Sequence, residues 1–485
     1  MPEKYHVYDV GSTYSKLSVF NLSGQTLTLA GRSEHLTTLE DITQGLAQTR
    51  AALGQSWSLA PEDPLVLASS SAAGGLRMVA MGYMPTVTAK AAKEVAMNAG
   101  ARVLEVVSHD EPPEYRLEIL REIRPDIILL AGGTDGGDRD SMAENAAIIV
   151  KAGLKAIIIV AGNVAAQPRI AEIFEEAGLS CVRVGNVMPT IHELRVGPAR
   201  AAIHQQFIRQ ITCAPGLAEL ASLAGGGEVI PTPSAILMGA ELAALGTHRQ
   251  DGLGGILVLD IGGATTDVHS VIPMLKELRP EERGLVINND KQVAFRTVEG
   301  YLGLRVSACG IVETVGAQGV FDWRDQLCGT KTMEPAEPAE KKRLTDYAAA
   351  LEKNTGHIPN GDWEIEIEAA LAAAALDAAL KRHCGYWITQ YNPVLGLAPG
   401  APVGRDLRPI KLVIGVGGFF SHRPPEAGLE LLSQVFKNRG YSLYPEDPQF
   451  CLDYDYLLYA AGLLGALHPE PVLSFLKNYL TGVKL

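Results

Sequence analysis

The sequence predicts an α/β protein built from two related halves and a third, inserted α/β domain. Two segments, Val7–Phe20 and Gly255–Val268, share one pattern: an apolar β-rich run, a turn of Gly with Ser or Thr, and a second run. Between them, residues 76–188 alternate short apolar runs with amphipathic stretches. The repeated segment indicates one strand-turn-strand unit in each half, and the alternation indicates a parallel, doubly wound sheet.

The two turns carry residues that suit an anion. Each begins with an aspartate near the end of the incoming strand, Asp9 or Asp260, and continues through glycine and hydroxyl residues. Glycine lets backbone N–H groups approach an anion, hydroxyls add donors, and a carboxylate can hold hydrated Mg²⁺ beside phosphates. A single Asp-x-Gly hairpin is common, but a pair predicts two facing phosphate loops that grip one nucleotide.

The inserted segment is predicted to form a flavodoxin-like, doubly wound α/β domain, because buried strands joined by helical crossovers pair in parallel. Its predicted strands are Met78–Met81, Val103–Val107, Asp126–Ala131, Ala156–Ala161 and Cys181–Val184. Its predicted helices are Thr86–Asn98, Tyr115–Ile123, Ser141–Lys151 and Pro168–Ala177.

The region after the second turn mixes strands and helices. Strands are predicted near Glu282–Asn288 and Gln292–Thr297, and Val298–Gly303 is predicted to open a helix. The charged stretch Glu334–Lys342 contains two prolines and is predicted to be a surface connection. An alanine-rich helix is predicted from Trp363 to about Cys384, with no role beyond helix formation.

Composition and charge narrow the class of protein. Lysine and arginine total 42 against 55 aspartate and glutamate, a net charge of −13, which argues against nucleic acid and anionic membranes as partners. The six cysteines are scattered and form no CxxC pair, which favours reduced thiols. No signal-peptide core or membrane-spanning stretch is apparent, so the expected location is the cytoplasm.

Three further segments stand in a characteristic order around the turns. Ile230–Gly246 and Tyr459–Leu467 look like small-residue connecting helices, and Val413–Ser421 looks like an adenosine-binding turn. With the two turns, they resemble the actin/Hsp70/sugar-kinase ATPase superfamily. The resemblance implies an actin-like (ribonuclease H-like) two-lobe ATPase fold that uses ATP and Mg²⁺.

These segments predict how the chain is divided. Residues 1–75 form the first ATPase lobe, and residues 76–188 form the inserted domain. Residues 189–246 return to the first lobe and carry the first connecting helix. Residues 247–458 form the second lobe with the second phosphate loop and the adenosine turn, and residues 459–485 carry the second connecting helix.

Two more stretches narrow the resemblance. Leu129–Asp138 in the insert and Arg296–Gly300 after the second turn resemble the glutamate mutase accessory family, of the MutL or GlmL type. The resemblance implies an ATPase that reactivates an adenosylcobalamin-dependent mutase, its protein partner, by releasing damaged cobalamin. Association into a homo-oligomer stays open.

The resemblance and the chemistry of the turns together suggest a role for each candidate site residue. Asp9 and Asp260 would organise Mg²⁺ and its waters, and replacing either by alanine should abolish hydrolysis while leaving the fold intact. Lys16 would contact phosphate or be a solvated strand residue, and Asp267 would orient the attacking water or be structural. The other nucleotide-binding candidates are Gly11, Ser12, Thr13, Gly262, Gly263, Ala264, Thr265, Thr266, Gly417, Gly418 and Phe419.

The insert also resembles the cobalamin-binding domain of such mutases, in which a histidine ligates cobalt. The corresponding turn, Gly82–Thr88, has no histidine or aspartate, so the insert would copy the shape without the ligand. Any five-stranded doubly wound domain would show the same order of elements. The loop with Asp135, Asp138 and Asp140 is either a contact for the mutase or plain turn chemistry.

Two other functions stay open at this point. A small-molecule kinase of the same superfamily would need a base that removes a hydroxyl proton, and none is identifiable in the sequence. A filament-forming or scaffold ATPase is the third reading, and no amphipathic membrane-targeting helix at either terminus supports it.

Overall fold

The structure is a computed structural model of the 485-residue chain. It describes residues 3–38, 42–53, 65–71, 77–82, 102–190, 195, 197–211, 229–273, 293–330, 335–391 and 398–482.

Seventeen strands and thirteen helices lie in these described ranges. The strands are β1 (Glu3–Val10), β2 (Tyr14–Ser23), β3 (Thr26–Leu36), β4 (Leu65–Ser70), β5 (Arg77–Gly82), β6 (Arg102–Ser108), β7 (Ile127–Leu130), β8 (Ile157–Val160), β9 (Cys181–Arg183), β10 (Ile230–Pro231), β11 (Ile256–Ile261), β12 (Thr266–Val271), β13 (Ala294–Glu299), β14 (Tyr386–Trp387), β15 (Pro402–Val403), β16 (Leu412–Val416) and β17 (Gln449–Leu452). The helices are α1 (Ile42–Leu53), α2 (Pro113–Ile123), α3 (Asp140–Ala152), α4 (Gln167–Glu176), α5 (Gly197–Ile211), α6 (Thr232–Leu245), α7 (Ala308–Cys328), α8 (Pro338–Lys353), α9 (Asp362–His383), α10 (Gly418–Ser421), α11 (Pro425–Lys437), α12 (Leu458–Gly465) and α13 (Pro469–Gly482).

Two five-stranded sheets repeat one topology. The first has the order β10-β4-β1-β2-β3, and the second has the order β13-β12-β11-β16-β17. In each, an antiparallel three-stranded meander is extended by two parallel strands beside its first strand. The central strands β1 and β11 each end in a phosphate-loop candidate, so equivalent positions of the two sheets carry the two turns. The fold class predicted from the sequence, a two-lobe actin-like α/β fold, is confirmed.

Helices α6 and α12 cross between the two sheets. Helix α6 packs on β11, β12 and β13, while α12 packs on β1 and β4. The helices approach closely at Gly239 and Gly462, where a Cβ would lie 2.3 Å from Leu458 O and 1.9 Å from Ala235 O, respectively. Backbone contact of this kind requires glycine. The two helices match the small-residue segments Ile230–Gly246 and Tyr459–Leu467, and their role in connecting the lobes stays a prediction.

The alanine-rich helix α9 is a core element. Every residue from Ala370 to Leu376 is fully buried, and the helix packs against the second sheet and α7. Small side chains allow a helix to lie close to the sheet it covers, so the run that looked bland in the sequence is a packing surface.

The chain separates into two compact units. The first comprises Met1–Ala73, Ile211–Val286 and Val293–Leu485, and the second is formed mainly by Gly74–Gln210. The second unit therefore includes most of α5, beyond the predicted limit at residue 188. The roles predicted for the domains stay predictions.

The second unit contains a parallel sheet with the order β6-β5-β7-β8-β9. This is the flavodoxin-like order in which the first strand lies inside the sheet. All five predicted strands are present, and α2, α3 and α4 match three of the four predicted helices. The fourth, Thr86–Asn98, lies outside the described residues, as do the strand Glu282–Asn288 and most of the turn Gly82–Thr88.

Two local predictions were wrong. Val298–Gly303 does not open a helix, because β13 continues to Glu299 in pairing with β12 and α7 begins only at Ala308. The stretch from Pro338 belongs to α8, because proline at the first helical position has the correct φ and needs no N–H partner. Among the described residues, no helix has the length and apolarity needed to span a membrane.

Candidate functional site

A cavity of about 490 Å³ in the first unit holds the candidate site. It is bounded by the turn after β1, the turn after β11 and the turn before α10. The volume is within the range of small-molecule and cofactor pockets. The predicted site residues that line it are Asp9, Gly11, Ser12, Thr13, Lys16, Asp260, Gly262, Gly263, Ala264, Thr265, Asp267, Gly417, Gly418 and Phe419.

Thr266 is the predicted site residue that does not line the cavity. It is fully buried in β12, and its hydroxyl donates to Leu302 O at 2.5 Å. The side chain therefore stabilises the segment behind the second turn. Thr265, one residue earlier, faces the cavity and donates to Asp267 Oδ2 at 2.9 Å.

The two turns have the same internal hydrogen bond. Gly11 N–H donates to Tyr14 O, and Gly262 N–H donates to Thr265 O, each at 2.9 Å. A Cβ on Gly11 would lie 2.6 Å from Tyr14 O, so this tight closure requires glycine there. Because both amides are used inside their turns, Gly11 and Gly262 shape the loops and do not offer their own N–H groups to an anion.

The loops touch each other across the cavity. A Cβ on Gly263 would lie 2.6 Å from Thr13 Cγ2, so the tip of the second loop lies directly against the first. Within the described part of the chain, the N–H groups of Ser12, Thr13, Gly263 and Ala264 donate to no acceptor. These four amides, two from each loop, are the available backbone donors for an anion.

Asp9 is held at the end of β1 by three donors. Its Oδ1 accepts hydrogen bonds from Ser69 Oγ at 2.9 Å and Thr232 Oγ1 at 2.5 Å, and its Oδ2 pairs with Lys16 Nζ at 3.3 Å. The carboxylate is fully buried. It therefore joins β1, β4 and the start of α6 in addition to facing the cavity.

Asp260 occupies the equivalent place in the second sheet but has a different environment. Its cross-strand neighbour is Asp267, whereas the neighbour of Asp9 is Lys16. Burial, with the charge of Asp267, raises the pKa of Asp260 well above its ordinary value. Burial raises the pKa of Asp267 to about 6, although Arg296 opposes this shift. Two nearby carboxylates without a bonded cation are unfavourable when both are ionised.

This arrangement fits a hydrated divalent cation. The described residues contain no group of three metal-ligating side chains, so a cation here would draw its remaining oxygen ligands from water and from phosphate. Asp9 and Asp260 would hold such a cation, and its charge would stabilise the ionised form of Asp260 against the burial and the neighbouring Asp267 charge that raise its pKa.

The third turn lies against the second loop. Gly417 has φ of 114°, and a Cβ there would lie 2.2 Å from Ile261 O and 3.0 Å from Asp260 Oδ1. Only glycine fits this position. The short helix α10 follows at once and places Phe419 on the cavity wall.

A buried ionic cluster, missed in the sequence analysis, lines the cavity beside Phe419. Glu368 of α9 is almost fully buried and pairs with Arg305 at 2.8 Å and Arg423 at 3.7 Å. The guanidinium of Arg423 lies 4.4 Å from the Phe419 ring centre. Arg305 is tied to the second loop, since its N–H donates to Gly263 O. No local motif marks these residues, which are far apart in sequence.

Glu34 and His422 close the cavity between the two sheets. Nε2 of His422 lies 2.7 Å from Glu34 Oε1, and its Nδ1 lies 2.8 Å from Gly418 O. Both partners are acceptors, so both bonds are made only when both ring nitrogens carry protons. The bond to Glu34 is the main cause of a raised His422 pKa, while it lowers the pKa of Glu34.

Comparison with known proteins identifies the family. The family model described as MutL protein matches residues 5–480. The chain belongs to the MutL family. It is 36% identical to Protein MutL of Clostridium tetanomorphum over 488 residues, covering 99% of this chain and 100% of that protein. The resemblance inferred from the sequence motifs is therefore confirmed.

Two solved structures that align with this chain are an acetone carboxylase and a gluconate kinase. A nucleotide-free acetone carboxylase aligns with 96% of this chain and 70% of its own, at 13% identity and a TM-score of 0.37. Gluconate kinase from Lactobacillus acidophilus aligns with 98% of this chain and 92% of its own, at 9% identity and a TM-score of 0.36. Because both TM-scores are below 0.5, the fold of this chain is assigned from the strand order of its own sheets.

Proposed function

We propose that this MutL-family chain hydrolyses Mg²⁺-ATP and uses the energy to reactivate an adenosylcobalamin-dependent mutase. The observation that carries the ATPase proposal is the contact between Thr13 and Gly263, with Asp9 and Asp260 at equivalent strand ends on either side. Two loops that touch and present free amides into one cavity suit a polyphosphate. A single loop would bind only one end of the polyphosphate.

Each residue has a distinct part in this proposal. The amides of Ser12, Thr13, Gly263 and Ala264 bind the phosphates and stabilise charge as the terminal phosphoryl group transfers. The bound magnesium ion would neutralise phosphate charge and polarise the phosphoryl oxygens. The residues of the chain position the phosphates and the magnesium ion, and positioning accounts for most of the catalysis in phosphoryl transfer.

Asp267 is proposed to orient the attacking water. The Thr265 hydroxyl donates a hydrogen bond to Asp267 Oδ2. Asp267 Oδ1 is buried and has no hydrogen-bond partner among the described residues. A buried carboxylate oxygen without a partner is costly unless a ligand or water completes it. A carboxyl group with a pKa of about 6 can also accept a proton near neutral pH.

The base of the nucleotide is proposed to lie toward Phe419. Ile358 and Ile365 line the cavity, and these residues are 76% and 43% exposed, so apolar surface is available for an aromatic ring. Arg423 already stacks on Phe419, and a base can extend this stack.

The mutase partner is supported by the family membership and by the glutamate mutase accessory resemblance. Glutamate mutase inactivated with hydroxocobalamin should regain activity when the chain, ATP, Mg²⁺ and fresh adenosylcobalamin are added. We expect at least a tenfold recovery over the sample without ATP, because release of the tightly held damaged cofactor would otherwise limit the exchange.

The controls separate the alternatives. A non-hydrolysable ATP analogue should give no sustained recovery, and the Asp260→Asn variant should behave like the sample without ATP. Recovery that is independent of ATP would contradict the coupling. ATP consumption that depends on a small alcohol, with a phosphorylated product, would point to the kinase alternative instead.

The second unit is proposed to contact the mutase. Its loop after β7 is held rigidly: Asp135 Oδ1 accepts from Val164 N at 3.0 Å and Asn186 Nδ2 at 2.9 Å, and Asp138 Oδ2 accepts from Ser141 at the start of α3. These two carboxylates therefore hold the loop together. Asp140, which is exposed at the start of α3, is the better candidate for a direct contact.

A further inference from the structure

Tyr456 has a backbone conformation that is rare for residues other than glycine. Its φ is 54°, and Arg124 is the one other described non-glycine residue at positive φ. Arg124 caps the end of α2, where the left-handed conformation is common. Tyr456 instead precedes α12, and an aromatic residue in this region of φ is under strain that the surrounding structure must offset.

The strained residue faces the candidate site. Tyr456 is buried to all but 7% of its surface and lines the cavity. Its N–H donates to Asp453 O at 3.0 Å, and Asp453 in turn accepts the N–H groups of Leu457 and Leu458 at the start of α12. This turn holds the backbone of Tyr456 just before the start of α12.

The ring of Tyr456 contacts Lys16. Nζ of Lys16 lies 3.9 Å from the ring centre and 3.3 Å from Asp9 Oδ2, so the ammonium group is held between an aromatic face and a carboxylate. The phenol oxygen forms no hydrogen bond to the part of the chain that the structure describes. Tyr456 therefore contacts Lys16 through the face of its ring and not through its hydroxyl group.

Lys16 needs such a support. Its side chain is long and flexible, and a single carboxylate contact leaves the ammonium group several accessible positions. The equivalent position in the second sheet holds Asp267, so the paired strands β1–β2 supply a cation where β11–β12 supply a carboxylate. The positive charge comes from Lys16 on β2, and its position depends on Tyr456, which lies far away in the sequence, before α12.

We propose that Tyr456 is a positioning residue that holds the ammonium group of Lys16 at Asp9, between the two loops, for contact with the phosphates of ATP. The inference rests on the proposed ATPase function. The aromatic ring affects catalysis only by holding Lys16 in place. The strained backbone of Tyr456, just before α12, places the ring against the Lys16 ammonium group.

Matched substitutions test this role. Tyr456→Leu removes the aromatic face but keeps an apolar side chain at the same backbone angle, and it should lower kcat about tenfold with a smaller change in KM for ATP. Tyr456→Phe keeps the aromatic face and the size of the ring, and its kcat should stay within about twofold of the native value. In a Lys16→Met background, Tyr456→Leu should cause no further loss, because its effect passes through Lys16.

A second readout does not depend on activity. In protein labelled with ¹³C at lysine Cε, the Lys16 resonance, assigned by Lys16→Arg, should be shifted upfield by the ring in the free protein. The shift should persist in Tyr456→Phe and vanish in Tyr456→Leu. Absence of the shift in the native protein, full kcat in Tyr456→Leu, or an equal loss in the Lys16→Met background would overturn the proposal. A native protein that shows the shift but hydrolyses no ATP would instead contradict the proposed function alone.

Discussion

Asp260→Asn is expected to lower ATP hydrolysis by about 10²- to 10³-fold and, at the same time, to raise the thermal stability of the free protein. Activity is lost because the magnesium ion would keep only one of the two carboxylates proposed to hold it, that of Asp9. The gain arises because Asp260 is a buried carboxylate whose pKa is raised by burial and by Asp267, so its ionised form opposes folding. An uncharged amide of the same shape removes that opposition.

The pH dependence has a definite sign. Folding favours the protonated forms of Asp260 and Asp267, so their stabilising contribution is fully present below pH 3.8 and is lost as the pH rises through the raised folded values, about 6 for Asp267. Calorimetric midpoints of the free protein should therefore fall less between pH 5 and pH 7 in Asp260→Asn than in the native chain.

Asp9→Asn is the matched control. It should lower hydrolysis to a similar extent, but it should also lower stability by about 1–3 kcal/mol, because Asp9 accepts from Ser69 and Thr232 and pairs with Lys16. The sequence alone suggested that removing either carboxylate would spare the fold, and the geometry predicts this for Asp260 only. Equal effects of the two substitutions on the unfolding midpoint would refute the distinction.

Gly462→Ala is expected to destabilise the crossing of α6 and α12. Its Cβ would lie 1.9 Å from Ala235 O, and a backbone oxygen cannot rotate away, so the helices must separate. Overpacking of this kind costs about 1–3 kcal/mol, beyond the roughly 1 kcal/mol that alanine gains over glycine in a helix. The thermal midpoint should fall, and hydrogen exchange should accelerate in α6 and α12.

Gly465→Ala is the control from the same helix. A Cβ there would lie 2.6 Å from Leu242 Cδ2, the tip of a side chain that can change rotamer. This substitution should change stability by less than about 1 kcal/mol. If both variants unfold at the same midpoint, the close crossing of the two helices is not what limits substitution at Gly462.

The turns at Asp9 and Asp260 could be predicted because their signals are local. Glycine, hydroxyl and strand-end aspartate follow one another within a few residues, and each is needed for a turn that closes on itself. The strands of the second unit were predictable for the same reason, since apolar runs of strand length alternate with helical stretches. The helix expected at Val298–Gly303 failed because pairing of β13 with β12 overrode local propensity.

The sequence by itself therefore determined the two loops, the two small-residue helices, the strand pattern of the insert and the family. The tertiary structure decided which groups surround the cavity. Glu368 meets Arg305 and Arg423, His422 meets Glu34, and Tyr456 meets Lys16, all across long separations in the chain. Such pairs leave no local pattern, because their partners are chosen by the pairing of strands and the packing of helices. The repeated sheet topology brings equivalent strand ends together, and the amides, carboxylates and cation of the site meet only when both sheets have formed.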